Sequence, residues 1–135
     1  MRRSRSVGFI LIAALALQGA CSPFVPATVT KRAGFPLDRE SPVFVIADRQ
    51  RDAIVASLER AGVRVAPDFS SMRYALEVKL GSDRGRTGCG TIHNVSYVLT
   101  GYGQRLMVIK GRGETGFCNP GIFDDMSREL AANLN

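Results

Sequence analysis

The sequence predicts an α/β fold of α+β character: a two-layer sandwich in the order βαβββα, whose mostly antiparallel sheet of four or five strands carries two helices on one face. Three observations predict it. Val43-Phe44-Val45-Ile46-Ala47 is an unbroken apolar run followed at once by helical spacing, later segments alternate apolar with polar residues, and the chain closes on an amphipathic helix.

The run from Val43 suits a strand buried on both faces. Asp48 offers an N-cap, and Ile54, Leu58 and Ala61 recur at helical spacing until Gly62 stops the helix. Val63-Arg64-Val65 follows as a short strand ended by Pro67, which completes a βαβ unit. Beyond it, Tyr74, Leu76, Val78 and Leu80 alternate with Ala75, Glu77 and Lys79, the period of a sheet with one wet face. Val95, Tyr97 and Leu99 repeat that pattern. Gly101-Tyr102-Gly103-Gln104 makes a turn, and Leu106, Val108 and Lys110 against Met107 and Ile109 form the return strand. Between the first two of these strands, Gly81 to Gly90 reads as a mobile loop, rich in glycine and carrying Arg84 and Arg86. In the last element Asn119 caps, Pro120 takes the first helical place, and Phe123, Met126, Leu130 and Leu134 line a core-facing side.

At the other end, Arg2, Arg3 and Arg5 precede an apolar run from Val7 to Leu17, the pattern of an export signal. It is shorter than the ~20 apolar residues a spanning helix needs. Small residues follow it, and Gln18-Gly19-Ala20-Cys21 resembles the lipobox of bacterial lipoproteins, although Gln18 stands where that family usually carries Leu or another apolar residue. The resemblance implies a diacylglycerol on the thiol of Cys21, hence palmitate-type acylation, and removal of residues 1–20 as a signal peptide. Ser22 is similar to the residue found there in lipoproteins sorted to the outer membrane. Ordinary cleavage after Ala14-Leu15-Ala16 is the alternative and leaves a soluble periplasmic protein. Residues 21–42 are then the acylated cysteine and a tether containing Pro23, Pro26, Pro36 and Pro42, with a short strand over Ala27 to Thr30 as the alternative reading inside it. A single globular domain is expected over 43–135.

Cysteine parity agrees with export. With Cys21 acylated, Cys89 and Cys118 remain, and an oxidising envelope favours their disulfide, which closes a loop of about thirty residues worth ~3 to 4 kcal/mol in the chain-entropy model. A thiol enzyme with His93 as base is the competing use of Cys89. In an extended segment, four residues of spacing hold those two alpha carbons ~13 Å apart. Cys89, His93 and Cys118 supply three ligands without CxxC or HxxxH spacing, so no metal and no other cofactor is expected. The signal arginines account for half of the formal charge of +6, and the remaining cations are scattered, which argues against nucleic acid as a partner. Gly85-Arg86-Thr87-Gly88-Cys89-Gly90 leads into a strand, not a helix, so it lacks the context of a phosphate-cradling loop. Arg84 and Arg86 are expected to face a partner.

The order of elements, a lipobox-like cysteine, a Pro-containing tether, a helix ending in Gly62-Val63-Arg64-Val65 and paired long strands, is similar to small α/β lipoproteins of proteobacterial envelopes, among them the lipopolysaccharide-assembly lipoprotein. That resemblance implies a lipid-anchored, periplasm-facing outer-membrane protein with an envelope protein partner. Three function classes follow: a non-catalytic assembly or accessory factor that binds protein, a small-ligand or lipid-binding module with an apolar pocket between sheet and helices, and, least favoured, a hydrolase drawing on Asp68, Ser70, Ser71 and His93.

Overall fold

A computed structural model describes residues 25–88, 90–115 and 121–135. Its elements are β1 (Val25–Lys31), β2 (Val43–Ala47), α1 (Arg51–Arg60), a 3-10 turn (Phe69–Ser71), β3 (Tyr74–Thr87), β4 (Gly90–Gly101), β5 (Gln104–Glu114) and α2 (Ile122–Ala132). The five strands form one sheet in the order β1-β5-β4-β3-β2, antiparallel except where β2 runs parallel to β3. Both helices cover one face, giving the α+β two-layer sandwich that the sequence predicts.

The parallel pair needs a crossover, and α1 supplies it. Ile54, Ser57 and Leu58 are its buried residues. At its end Gly62 adopts φ +84°, Gly62 N donates to Glu59 O at 3.0 Å and Val63 N to Leu58 O at 3.0 Å, the paired bonds of a Schellman cap. At its start the N-cap is Gln50, in left-handed backbone without a side-chain cap, rather than Asp48. The strand expected at Val63-Arg64-Val65 is also absent. Val65 makes a single parallel bridge to Val43, because Pro67 has no N–H and Asp68 then opens the 3-10 turn. The second strand of the βαβ unit is therefore β3, with Val43 opposite Tyr74 and Ala47 opposite Val78.

Two further expectations give way to longer pairing. The segment Gly81 to Gly90 is not a loop: β3 continues to Thr87, which faces Gly90 at the start of β4. Register shifts between Leu80 and Asp83 and between Asp83 and Arg86 let the strand bend through its glycines, among them Gly85 at φ +131°, without releasing its partner. The described part of the stretch 22–42 likewise does not stay apart from the fold. Its residues 25–31 pair with β5 as β1, more than the short strand weighed within it. Leu37 is buried, Asn135 N donates to Leu37 O, and Arg39 reaches the carbonyl of Ala131 at 2.7 Å, so the chain after β1 is strapped to the end of α2. Prolines suit such an extended strap as well as they suit a tether.

The alternation along β3, β4 and β5 divides the sheet as expected. Leu76, Val78, Val95, Tyr97, Leu99, Met107 and Ile109 are buried, and Ile54, Leu58, Met126 and Leu130 fill the space between sheet and helices where an apolar pocket was the alternative. Two glycines permit close approach. A Cβ at Gly101 would lie 2.7 Å from the Tyr74 ring and 2.9 Å from Leu106, and one at Gly113 would lie 3.0 Å from Ile122. The helix α2 begins at Ile122 with Gly121 as N-cap, and Asn119 and Pro120 lie outside the described residues.

Small hydroxyl residues join the two helices to the sheet. Ser57 Oγ donates to Ile54 O at 2.7 Å and lies 2.9 Å from Ser127 Oγ, which in turn is 3.4 Å from the Tyr97 hydroxyl. Burial pushes the Tyr97 phenol up to about 12, only partly offset by its bonds to Ser127 and Ser57. At the surface, Arg60 bonds Asp124 through Nε and Nη2, closing the same helix pair.

The folded state thus holds the Tyr97 proton more tightly than the unfolded chain, whose tyrosines titrate near 10. Its contribution is complete below pH 10 and is lost as the pH rises to about 12, of order 2–3 kcal/mol in all. Urea unfolding across pH 8 to 12 should show that loss in the parent and lack this component in Tyr97→Phe, whose stability at pH 7 should fall by no more than ~1.5 kcal/mol because Ser57 and Ser127 keep each other. Gly101→Ala should cost ~1–3 kcal/mol in the same assay by forcing Tyr74 and Leu106 aside.

Candidate functional site

The uncovered face of the sheet carries a group of polar side chains. Strand register assembles them in rows across β3, β4, β5 and β1. Lys79 faces Ser96, Ser96 faces Lys110 and Lys110 faces Thr28; in the next row Asn94 faces Arg112, which faces Val25. Lys79, Ser96, Lys110, Thr28, Asn94 and Arg112 together line an open trough of about 720 Å³. Gly81 belongs to its floor, and a Cβ there would stand 3.3 Å from Asn94. Lys79 is partly neutralised by Glu77 at 3.2 Å. No carboxylate among the described residues comes within 4.0 Å of Lys110 or Arg112.

Another corner of the same face is apolar. Phe44 on β2 stacks against Phe69 with centroids 4.1 Å apart, Arg51 lies 5.6 Å above the Phe44 ring, and Ile46 is exposed beside them. Phe69 is 61% exposed and Met72 39%. Because β2 is the last strand of the sheet, its outer edge faces solvent, yet Val43 is bridged to Val65 and Arg51 Nε donates to Val45 O at 3.2 Å. The edge is blunted by these contacts, so a partner would meet this corner through side chains more than by adding a strand.

A third cluster closes the end of the sheet at the β4–β5 turn. Tyr102 and Gly103 both have positive φ, the two-residue hairpin expected from Gly101-Tyr102-Gly103-Gln104. Arg73 donates to the Tyr102 hydroxyl at 3.2 Å and holds its phenol below the ordinary value, while burial raises that of Tyr74. Asp38, bonded by Ser41 and by Glu40 N, has a carboxyl below the usual range. Asp38 N also donates to the Tyr74 hydroxyl at 3.0 Å, which binds the strap to the sheet.

No family model matches the sequence, and no curated protein matches it. Among solved structures, the PelC dodecamer from Paraburkholderia phytofirmans (space group P6) is 23% identical with a TM-score of 0.49, covering 80% of this chain and 97% of that one. A point variant of that dodecamer (space group C2) is 22% identical with a TM-score of 0.46, covering 77% and 93%. Similarity at this level carries no assignment of function.

The residues singled out for chemistry do not converge. Asp68 caps the 3-10 turn: its Oδ1 accepts from the backbone and hydroxyls of Ser70 and Ser71, and these bonds hold its carboxyl low. His93 is buried on the helix side, with Nδ1 2.9 Å from Gly81 O, where it braces the first bulge of β3. Gly81 lies seven residues along β3 from Tyr74, so the histidine and the serines are separated by ~23 Å of strand. Among the described residues no His, Cys, Asp and Glu side chains group as a metal site, and no helix is long and apolar enough to cross a membrane. Arg86 is exposed in the last turns of β3 and pairs with Thr91, and Arg84 belongs to the same strand. Cys21, Cys89 and Cys118 lie outside the described residues.

Sequence reasoning missed the trough and the Phe44–Phe69 corner. Alternation does put Lys79 and Lys110 on the wet face, but which residue of β3 lies beside which of β4 and β5 is decided by bulges that no spacing rule reveals. Phe69 and Met72, two large apolar residues between Pro67 and Tyr74 in a segment without periodicity, were the available signal for the corner.

Proposed function

We propose that the chain is a lipoprotein, acylated at Cys21, that faces the periplasm from the outer membrane and serves as a non-catalytic assembly or accessory factor by binding another envelope protein. The export signal and lipobox-like Gln18-Gly19-Ala20-Cys21 support the placement. The observation that carries the binding role is the apolar corner where exposed Ile46, Phe69 and Met72 accompany the half-buried Phe44: three of the four exposed large apolar side chains among the described residues belong to it, Tyr102 being the fourth, and a surface cluster of this kind marks an interaction site.

A bridge between Cys89 and Cys118 belongs to the same reading. Thr115 N donates to Thr91 O at 3.0 Å, which joins the chain two residues after Cys89 to the chain three residues before Cys118. At ~3.5 Å per residue both segments can reach the ~5.5 Å alpha-carbon separation of a disulfide.

Crosslinking in cells followed by affinity capture tests the binding role. Ile46→Asp combined with Phe69→Ala should lose the partner captured by the parent protein while keeping its urea midpoint, and Cys21→Ala should lose the same partner through misplacement. Undiminished capture by the apolar-corner variant counts against the proposal. Thiol-alkylation gel shifts on the processed protein should detect the two later cysteines only after reduction, and their joint replacement by alanine should lower stability by ~3 kcal/mol.

A further inference from the structure

We propose that the trough on the open sheet face is a docking surface for anionic phospholipid headgroups, so that the domain lies against the bilayer that anchors it. The inference rests on acylation at Cys21. Its starting point is the length of chain between the anchor and the fold. Only residues 22–24 separate Cys21 from Val25, the first residue of β1, so that residue is held within ~14 Å of the acylated thiol. Val25 faces Arg112, and Thr28, the next paired residue of β1, faces Lys110. The corner of the sheet nearest the anchor is therefore the corner that carries the trough.

Charge selects which face turns to the lipid. Lys110 and Arg112 meet no carboxylate among the described residues within 4.0 Å, and Lys79 lies beyond Ser96 in the same row. The helices on the opposite face carry Asp52, Glu59, Asp124, Asp125 and Glu129 against Arg51, Arg60 and Arg128, so that layer keeps an acidic excess although Asp124 and Asp125 are paired with Arg60 and Arg128. An anionic surface attracts the first group and repels the second. Each cation brought near such a surface contributes roughly a fivefold preference, and because the acyl chain has already brought the domain to the membrane, the preference acts on orientation alone. Ser96, Asn94 and Thr28 add hydroxyl and amide donors suited to phosphate oxygens.

The test uses the processed, acylated protein in vesicles that contain a phospholipid with a photoactivatable headgroup, either in neutral phosphatidylcholine or with about one-third phosphatidylglycerol, followed by mass-spectrometric mapping of lipid crosslinks. With phosphatidylglycerol, segments holding Thr28, Lys79 and Asn94 to Arg112 should crosslink at least fivefold more than α1 and α2. That ratio should fall towards one in neutral vesicles, at high salt, and in Lys110→Glu with Arg112→Glu. Even labelling of the two layers in phosphatidylglycerol vesicles by protein that floats with them overturns the docking while leaving the anchor intact. Protein that does not float with vesicles overturns acylation and, with it, this inference.

Discussion

Two helices can cover only one side of a five-stranded sheet, and that asymmetry governs the rest of this molecule. Each strand from β3 to β5 has to send its large apolar side chains to the helix layer, which is why Leu76, Tyr97 and Ile109 are sealed while Lys79, Ser96 and Lys110 meet solvent. The covered side is fastened by a short polar contact rather than by apolar packing alone. Ser57 and Ser127 are small enough to let α1 and α2 approach, and their hydroxyls satisfy one another and the Tyr97 phenol in a place that water does not reach. Replacing that contact by larger apolar groups would push the helices apart, so the same residues set the spacing of the layer and its specificity.

The face left bare is the consequence. Because no second layer covers it, its composition is free of the demands of packing, and the chain uses it unevenly. Near β2 the side chains are aromatic and aliphatic, with Phe69 folded over Phe44 from outside the sheet. Near β1 they are cationic and amidic around a trough. A uniformly solvated face would not separate the two in this way. On the two proposals made above, the division would let one surface address two neighbours of different chemistry, an apolar protein patch at one corner and an anionic surface at the other.

Elements with a strong period were legible in the sequence, and elements decided by long-range pairing were not. The alternation of β3, β4 and β5, the helix ended by Gly62 and the apolar side of α2 follow from local pattern, since burial on one side leaves its period in the residues themselves. By contrast, Val63-Arg64-Val65 has the composition of a strand, but its neighbour Pro67 and the capping Asp68 leave room for only one bridge. Gly81 to Gly90 has the composition of a loop, yet a hairpin already paired from Tyr74 gains by zipping further, and bulges absorb the glycines. The aligned cations of the trough depend on cross-strand register, Lys79 opposite Ser96 and Ser96 opposite Lys110, which is likewise a matter of long-range pairing and not of local pattern.

The strand β1 changes what the N-terminal segment means. Prolines at 23, 26, 36 and 42 suggest a spacer, and a spacer of that length would let the domain wander some tens of ångströms from its anchor. Pairing Thr28 with Lys110 and Lys31 with Met107 takes residues 25–31 into the sheet, and the strap through Leu37 and Arg39 holds the chain from there to β2 against the end of α2. What Pro36 and Pro42 then provide is stiffness: an extended chain that crosses from β1 to β2 without competing for the sheet's hydrogen bonds. With Cys21 acylated as proposed, a link of only residues 22–24 would keep the domain from sampling all orientations. The part of its surface beside the start of β1 would then be the part held close to the bilayer, and the register of β1 with β5 makes that part the cationic one.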